Sequence, residues 1–163
     1  MNDLYIGYQQ FNSELVLEIG KFSIWWNMFE SQKFDCSFSY EKANEFANKI
    51  TNDKDNCFKK FAAELKERAM NIFDGQDDCL EKYIKTKLYP TTDCRARITK
   101  REKEECANKV LKFISSDGQE YFEGALLAIY RIRNNMFHGL KDEFRIELFR
   151  AINNVFKNIF YIN

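Results

Sequence analysis

Arg131, Arg133, Asn134 and His138 fall within eight positions of one another, in the run Tyr130-Arg131-Ile132-Arg133-Asn134-Asn135-Met136-Phe137-His138-Gly139-Leu140-Lys141. His138 is the only histidine among the 163 residues. An imidazole supplies a base that titrates near neutral pH. A guanidinium presents a planar fork matched to the oxygens of a phosphorane, and an asparagine amide can hold an imidazole or a phosphate oxygen. Together these groups supply the base and the phosphorane-facing cation that metal-free cleavage of RNA requires. The ribose 2′-hydroxyl attacks the adjacent phosphorus and the 5′-oxygen leaves, giving a 2′,3′-cyclic phosphate and a 5′-hydroxyl. The departing oxygen also needs an acid, and one chain holds no second imidazole. That proton comes from a second copy of His138 in a dimer, from water, from Tyr130 or from a lysine, and the dimer is the simplest of these.

The same residues have plainer uses. A histidine before a helix-ending glycine caps the helix and favours its dipole. Asn134-Asn135 would suit a helix end, and Tyr130 suits packing. Tyr121, Phe122, Leu126, Ile129 and Met136 read as core or dimer surface, not as a platform for bases. On a helix, Asn134 and His138 share a face. Arg133 and His138 diverge by about 140°. Arg131, seven positions before the histidine, lies nearer its face, which makes it a candidate for a further phosphate contact. Arg133 either sweeps back toward His138 as the last turn loosens at Gly139, or serves the opposite subunit.

The elements that must carry these residues are helical throughout. The spacing of Leu15, Ile19, Phe22, Trp26 and Phe29 predicts a helix from Asn12 or Ser13 to about Glu30. Ser39 opens a stretch over Tyr40–Ile50, ended by Thr51-Asn52-Asp53. Asp55–Phe73 carries Phe58, Phe61, Leu65, Met70 and Phe73 and stops at Gly75. A shorter helix over Asp77–Tyr89 ends at Pro90, the single proline. Thr99 and Glu102 form a capping box for a helix reaching Ser116. Ser116 or Asp117 caps the next, which runs to His138 and Gly139. Lys141–Tyr161 closes the chain with Phe144, Leu148, Ile152, Phe156 and Phe160. Neither a repeat nor a linker divides the chain. The expectation is a single all-α domain over residues 1–163, a bundle of antiparallel helices with a short extra helical segment.

Arg133-Asn134-x-x-x-His138, followed by Gly139 near the end of the penultimate helix, resembles the signature of the HEPN domain family. The match covers about a dozen residues, and the helical order extends it over the C-terminal third. The resemblance implies a metal-independent endoribonuclease of the toxin–antitoxin or phage-defence type. It also implies a homodimer whose two motif copies face one cleft. Arg133 and His138 would be the catalytic pair, with Asn134 positioning them. Some relatives are silenced by modification of a tyrosine two residues after the histidine. Leu140 stands there, which implies a different antitoxin or regulatory protein, or sequestration by a larger complex. The alternative is a catalytically inactive HEPN-like module that dimerises or binds a nucleotide or partner. A helical interaction domain with a fortuitous motif is the third reading.

Composition narrows the rest. Lys plus Arg and Asp plus Glu are 25 each, yet residues 1–84 hold 10 basic and 15 acidic side chains and residues 85–112 hold 9 and 4. The basic set includes Lys85, Lys87, Arg95, Arg97, Lys109 and Lys112. It reads as a solvated face or as an RNA track, with Arg95, Arg97 and Lys141 as candidate substrate contacts beside Arg131 and Tyr130. Six glycines, one proline and 26 aromatics exclude collagen-like, disordered and Gly/Pro-rich β architectures. The cysteines Cys36, Cys57, Cys79, Cys94 and Cys106 form no close pair of the metal or redox kind, and read as free thiols of a reducing compartment. No apolar run reaches membrane-spanning length and no basic, apolar leader opens the chain. A cytoplasmic protein without cofactor or metal is expected.

Overall fold

Among the described residues, seven α-helices follow an antiparallel ribbon of two three-residue strands, β1 (Leu4–Ile6) and β2 (Gln9–Phe11), registered Leu4 to Phe11. The computed structural model describes residues 12–50, 56–90, 98–136 and 145–160, and the backbone alone of 4–6, 9–11, 137 and 161. α1 (Ser13–Lys33) starts where the Asn12 side chain accepts from Leu15 N–H. α2 (Tyr40–Ala47) starts under a Ser39 cap. α3 (Cys57–Ile72) ends in a left-handed step through Asp74 and Gly75, whose N–H reaches back to Met70. α5 (Lys100–Ser115) carries the expected capping box of Thr99 and Glu102. α6 (Phe122–Phe137) bears the motif, and α7 (Ile146–Tyr161) closes the bundle. The architecture is all-α, as expected.

The segment predicted as one helix over 77–89 divides. α4 (Cys79–Tyr83) passes into a π-helical turn over Ile84–Leu88, closed by Tyr89 N–H on Ile84 C=O. A second difference lies at the start of α6. Ser116 and Asp117 do not cap it: Asp117, Gly118 and Tyr121 take left-handed backbone angles, so the turn between α5 and α6 is longer than the pattern implied. The reason is steric. Gly118 lies against α3, where an added Cβ would stand 2.3 Å from the Phe58 carbonyl oxygen.

Helices that pack together mostly run antiparallel. In α5 with α6, Lys109 meets Glu123, and the α5 start and α6 end both meet the segment 88–90. In α2 with α6, Tyr40 meets Tyr130 and Asn48 lies by Phe122; in α3 with α7, Cys57 meets Asn158 and Glu67 meets Arg145. α1 and α7 run parallel, with Glu18 beside Asn153 and Trp25 stacked on Phe160. Apolar faces at helical spacing enclose one core. On α1 Glu18 is buried and Ile19 only partly so; Lys21 and Asn153 donate to the Glu18 carboxylate at 2.7 and 2.8 Å. Ala69 replaces Met70 inside α3, leaving Met70 49% exposed. Aromatic rings fill the space between α1, α2, α6 and α7: Trp26, Phe34 and Phe156 are buried and each in ring contact with buried Phe29. Burying each such side chain contributes about 1.5–3 kcal/mol. Among the described residues no helix is long and apolar enough to cross a membrane.

Candidate nucleic-acid-cleaving site

The last two turns of α6 are set in place by the turn before Pro90. Arg131 donates through Nε to the Leu88 carbonyl and lays its guanidinium 5.8 Å above the Tyr89 ring. Four residues on, and on the same face, Asn135 donates from Nδ2 to the Lys87 carbonyl at 3.2 Å. Tyr89 returns a bond, its hydroxyl donating to the Leu127 carbonyl at 2.9 Å. Burial holds that phenol well above its ordinary pKa. The π turn leaves its final carbonyls without partners of its own, and α6 supplies an amide and a cation to them.

Arg133 and Asn134 leave the helix on other headings. The Arg133 guanidinium donates from Nη1 to Asn134 Oδ1 at 3.0 Å and lies 6.0 Å over the Trp26 ring. Both side chains are half-buried. With Oδ1 accepting from Arg133, the Asn134 Nδ2 hydrogens have no partner among the described residues. Trp26 is 2% exposed and its indole N–H is also without an acceptor among the described residues, so its contribution is the ring face. Tyr130 forms the neighbouring wall, stacked on Phe38 at 4.2 Å with the rings 11° apart, and edge-on to Tyr40. Burial also raises the Tyr40 phenol.

The structure therefore brings together Arg133, Asn134 and Tyr130, and directs Arg131 to the π turn. His138, Lys141, Arg95 and Arg97 lie outside the described residues. Asn135, read as half of a helix-end pair, is an anchor at 2% exposure, and its spacing from Arg131 was the available signal. Trp26 was legible only as core, because nothing near it in the chain points to an arginine on α6. Of the two placements expected for Tyr121, core or surface, the structure shows the surface: it is 53% exposed at the opposite end of α6. Four cysteines are described, all free thiols; Cys36 is exposed and Cys57, Cys79 and Cys106 are buried.

The pairing of a guanidinium with an amide, half-open to solvent on a rigid helix end, can hold two oxygens of a phosphodiester. In comparisons with known proteins, no family model, no curated protein and no solved structure matches the chain.

Proposed function

We propose that the chain is a metal-independent endoribonuclease of the HEPN type, acting as a homodimer in a toxin–antitoxin or anti-phage role in the cytoplasm. The observation that carries this reading is the Arg133–Asn134 bond at the end of α6, one turn before His138 in the sequence. His138 takes the 2′-hydroxyl proton. Arg133 faces the charge that develops on the phosphorane oxygens, and Asn134 offers its Nδ2 hydrogens to the imidazole or to a phosphate oxygen. The leaving 5′-oxygen receives its proton from the partner subunit's His138. A cognate antitoxin or regulatory protein holds the activity in check.

The test is cleavage of RNA by purified protein in EDTA, with the products examined for cyclic phosphate ends. His138→Ala is expected to lower the rate by roughly 10²–10⁴ while leaving the helical spectrum intact. Wild-type-like cutting by that variant removes His138 from the mechanism. A wild-type protein that dimerises or binds a nucleotide or protein partner yet cuts no RNA is instead the inactive module.

A further inference from the structure

At the other end of α6, a cleft of about 480 Å³ opens between α2, α5 and the start of α6. Asn44 and Asn48 approach it from α2, Lys109 and Lys112 from α5, and Tyr121 and Glu123 from the α6 start. Lys109 is committed to Glu123 at 2.6 Å. Lys112 is not: its ammonium lies 5.9 Å from the centre of the Tyr121 ring and has no carboxylate partner among the described residues. Two ammonium groups against one carboxylate leave the lining cationic. Tyr121 holds φ at 59°, a left-handed angle rare for an aromatic residue, and its ring is among the few large apolar groups exposed in the fold.

We infer that this cleft is a subsite for one nucleotide of single-stranded RNA. The inference rests on the ribonuclease reading above and extends it to substrate binding. An exposed aromatic face accepts an unpaired base by stacking. A lysine beside it contributes a phosphate contact. Two amide side chains present donors and acceptors to the base edge. Stacking on Tyr121 requires a base that is not paired, so the cleft selects single strands. From Phe122 to Arg133 the helix advances about 17 Å, at 1.5 Å per residue. A strand seated in the cleft and cut at the motif must therefore extend well beyond the scissile link.

Binding is measured apart from cutting, by fluorescence anisotropy of labelled RNA in a His138→Ala background. On a strand of about twelve uridines, Tyr121→Ala weakens affinity roughly 10-fold, whereas Tyr121→Phe keeps it. Lys112→Ala lowers the slope of log affinity against log salt by about 0.7. In the otherwise wild-type chain, Tyr121→Ala and Lys112→Ala each cleave a dinucleotide, too short to span the two places, at the wild-type rate. Unchanged affinity and salt slope in both variants overturn the subsite. Loss of a bound protein partner with RNA affinity intact overturns it as well, in favour of protein docking. RNA held through Tyr121 and Lys112 but never cut by the wild-type chain leaves the subsite standing and defeats the nuclease reading alone.

Discussion

Neighbouring side chains on the last two turns of α6 have opposite duties, and substitution should separate them. Arg131 and Asn135 bind the carbonyls of Leu88 and Lys87. Removing Asn135 leaves a carbonyl of the π turn short of a partner, so Asn135→Ala should cost about 1–3 kcal/mol in urea unfolding. Arg133 touches Asn134 and the Trp26 ring face. Arg133→Lys should retain stability to within about 1 kcal/mol but lower the cleavage rate by roughly 10²–10³, because an ammonium lacks the fork. A variant series in which stability and cleavage fall together at both positions would contradict this division. Thiol reactivity offers a second measurement at this scale. Burial pushes the Cys106 thiol up to about 11, whereas Cys36 stands exposed. Iodoacetamide at pH 8 should therefore label Cys36 rapidly and Cys106 only on unfolding, as read by peptide mass.

The helices show which parts of the fold are legible in a sequence. Periodic apolar positions place α1, α3 and α5 within a few residues, and side-chain caps fix the starts of α1 and α5, because those signals act within one helix. The α5–α6 turn escapes such local signals because its geometry answers to distant backbone, the Phe58 carbonyl against Gly118. Gly124 was silent for the same reason. A Cβ there would stand 2.3 Å from the Lys109 carbonyl oxygen and 2.7 Å from Phe113 Cβ, so it permits the close crossing of α5 and α6. Gly124→Ala should destabilise by about 1–3 kcal/mol despite the better helix propensity of alanine, a result a thermal melt can read. Glu18 gives the α1–α7 contact a pH dependence. Burial raises its pKa, but hydrogen bonds from Lys21 and Asn153 and the charges of Lys21 and Lys157 outweigh it and hold the carboxyl below 4.5. The unfolded chain then binds that proton more tightly. The stabilisation is complete above the unfolded value and is lost as pH falls through the folded one. Glu18→Gln should flatten the fall of the urea midpoint below pH 4.5 relative to wild type. Of the site, the motif was legible as a string of residue types, but the direction of each side chain was not. Arg131 reads as a phosphate contact on a bare helix and becomes an anchor only when Leu88 and Tyr89 are packed beside it.

At the scale of the whole molecule, a balanced chain conceals a segment with 9 basic and 4 acidic side chains over residues 85–112, next to a first half with 10 and 15. Lys109 and Lys112 of that segment line the cleft at the start of α6, so the charge separation has a place in the fold. The histidine count sets a sharper condition. A chain with one imidazole meets the need for a base and an acid of that type only by sharing one site between two copies, under the two-fold symmetry of a dimer. Mixing tests this directly. When wild-type and His138→Ala subunits are unfolded, combined in equal amounts and refolded, random pairing makes about half of the dimers mixed. If each phosphodiester needs both imidazoles, mixed dimers are dead and activity falls to about one quarter of the all-wild-type value. If each chain works alone, it falls only to about one half. We expect one quarter, and a linear loss toward one half would assign the leaving-group proton to water, Tyr130 or a lysine instead.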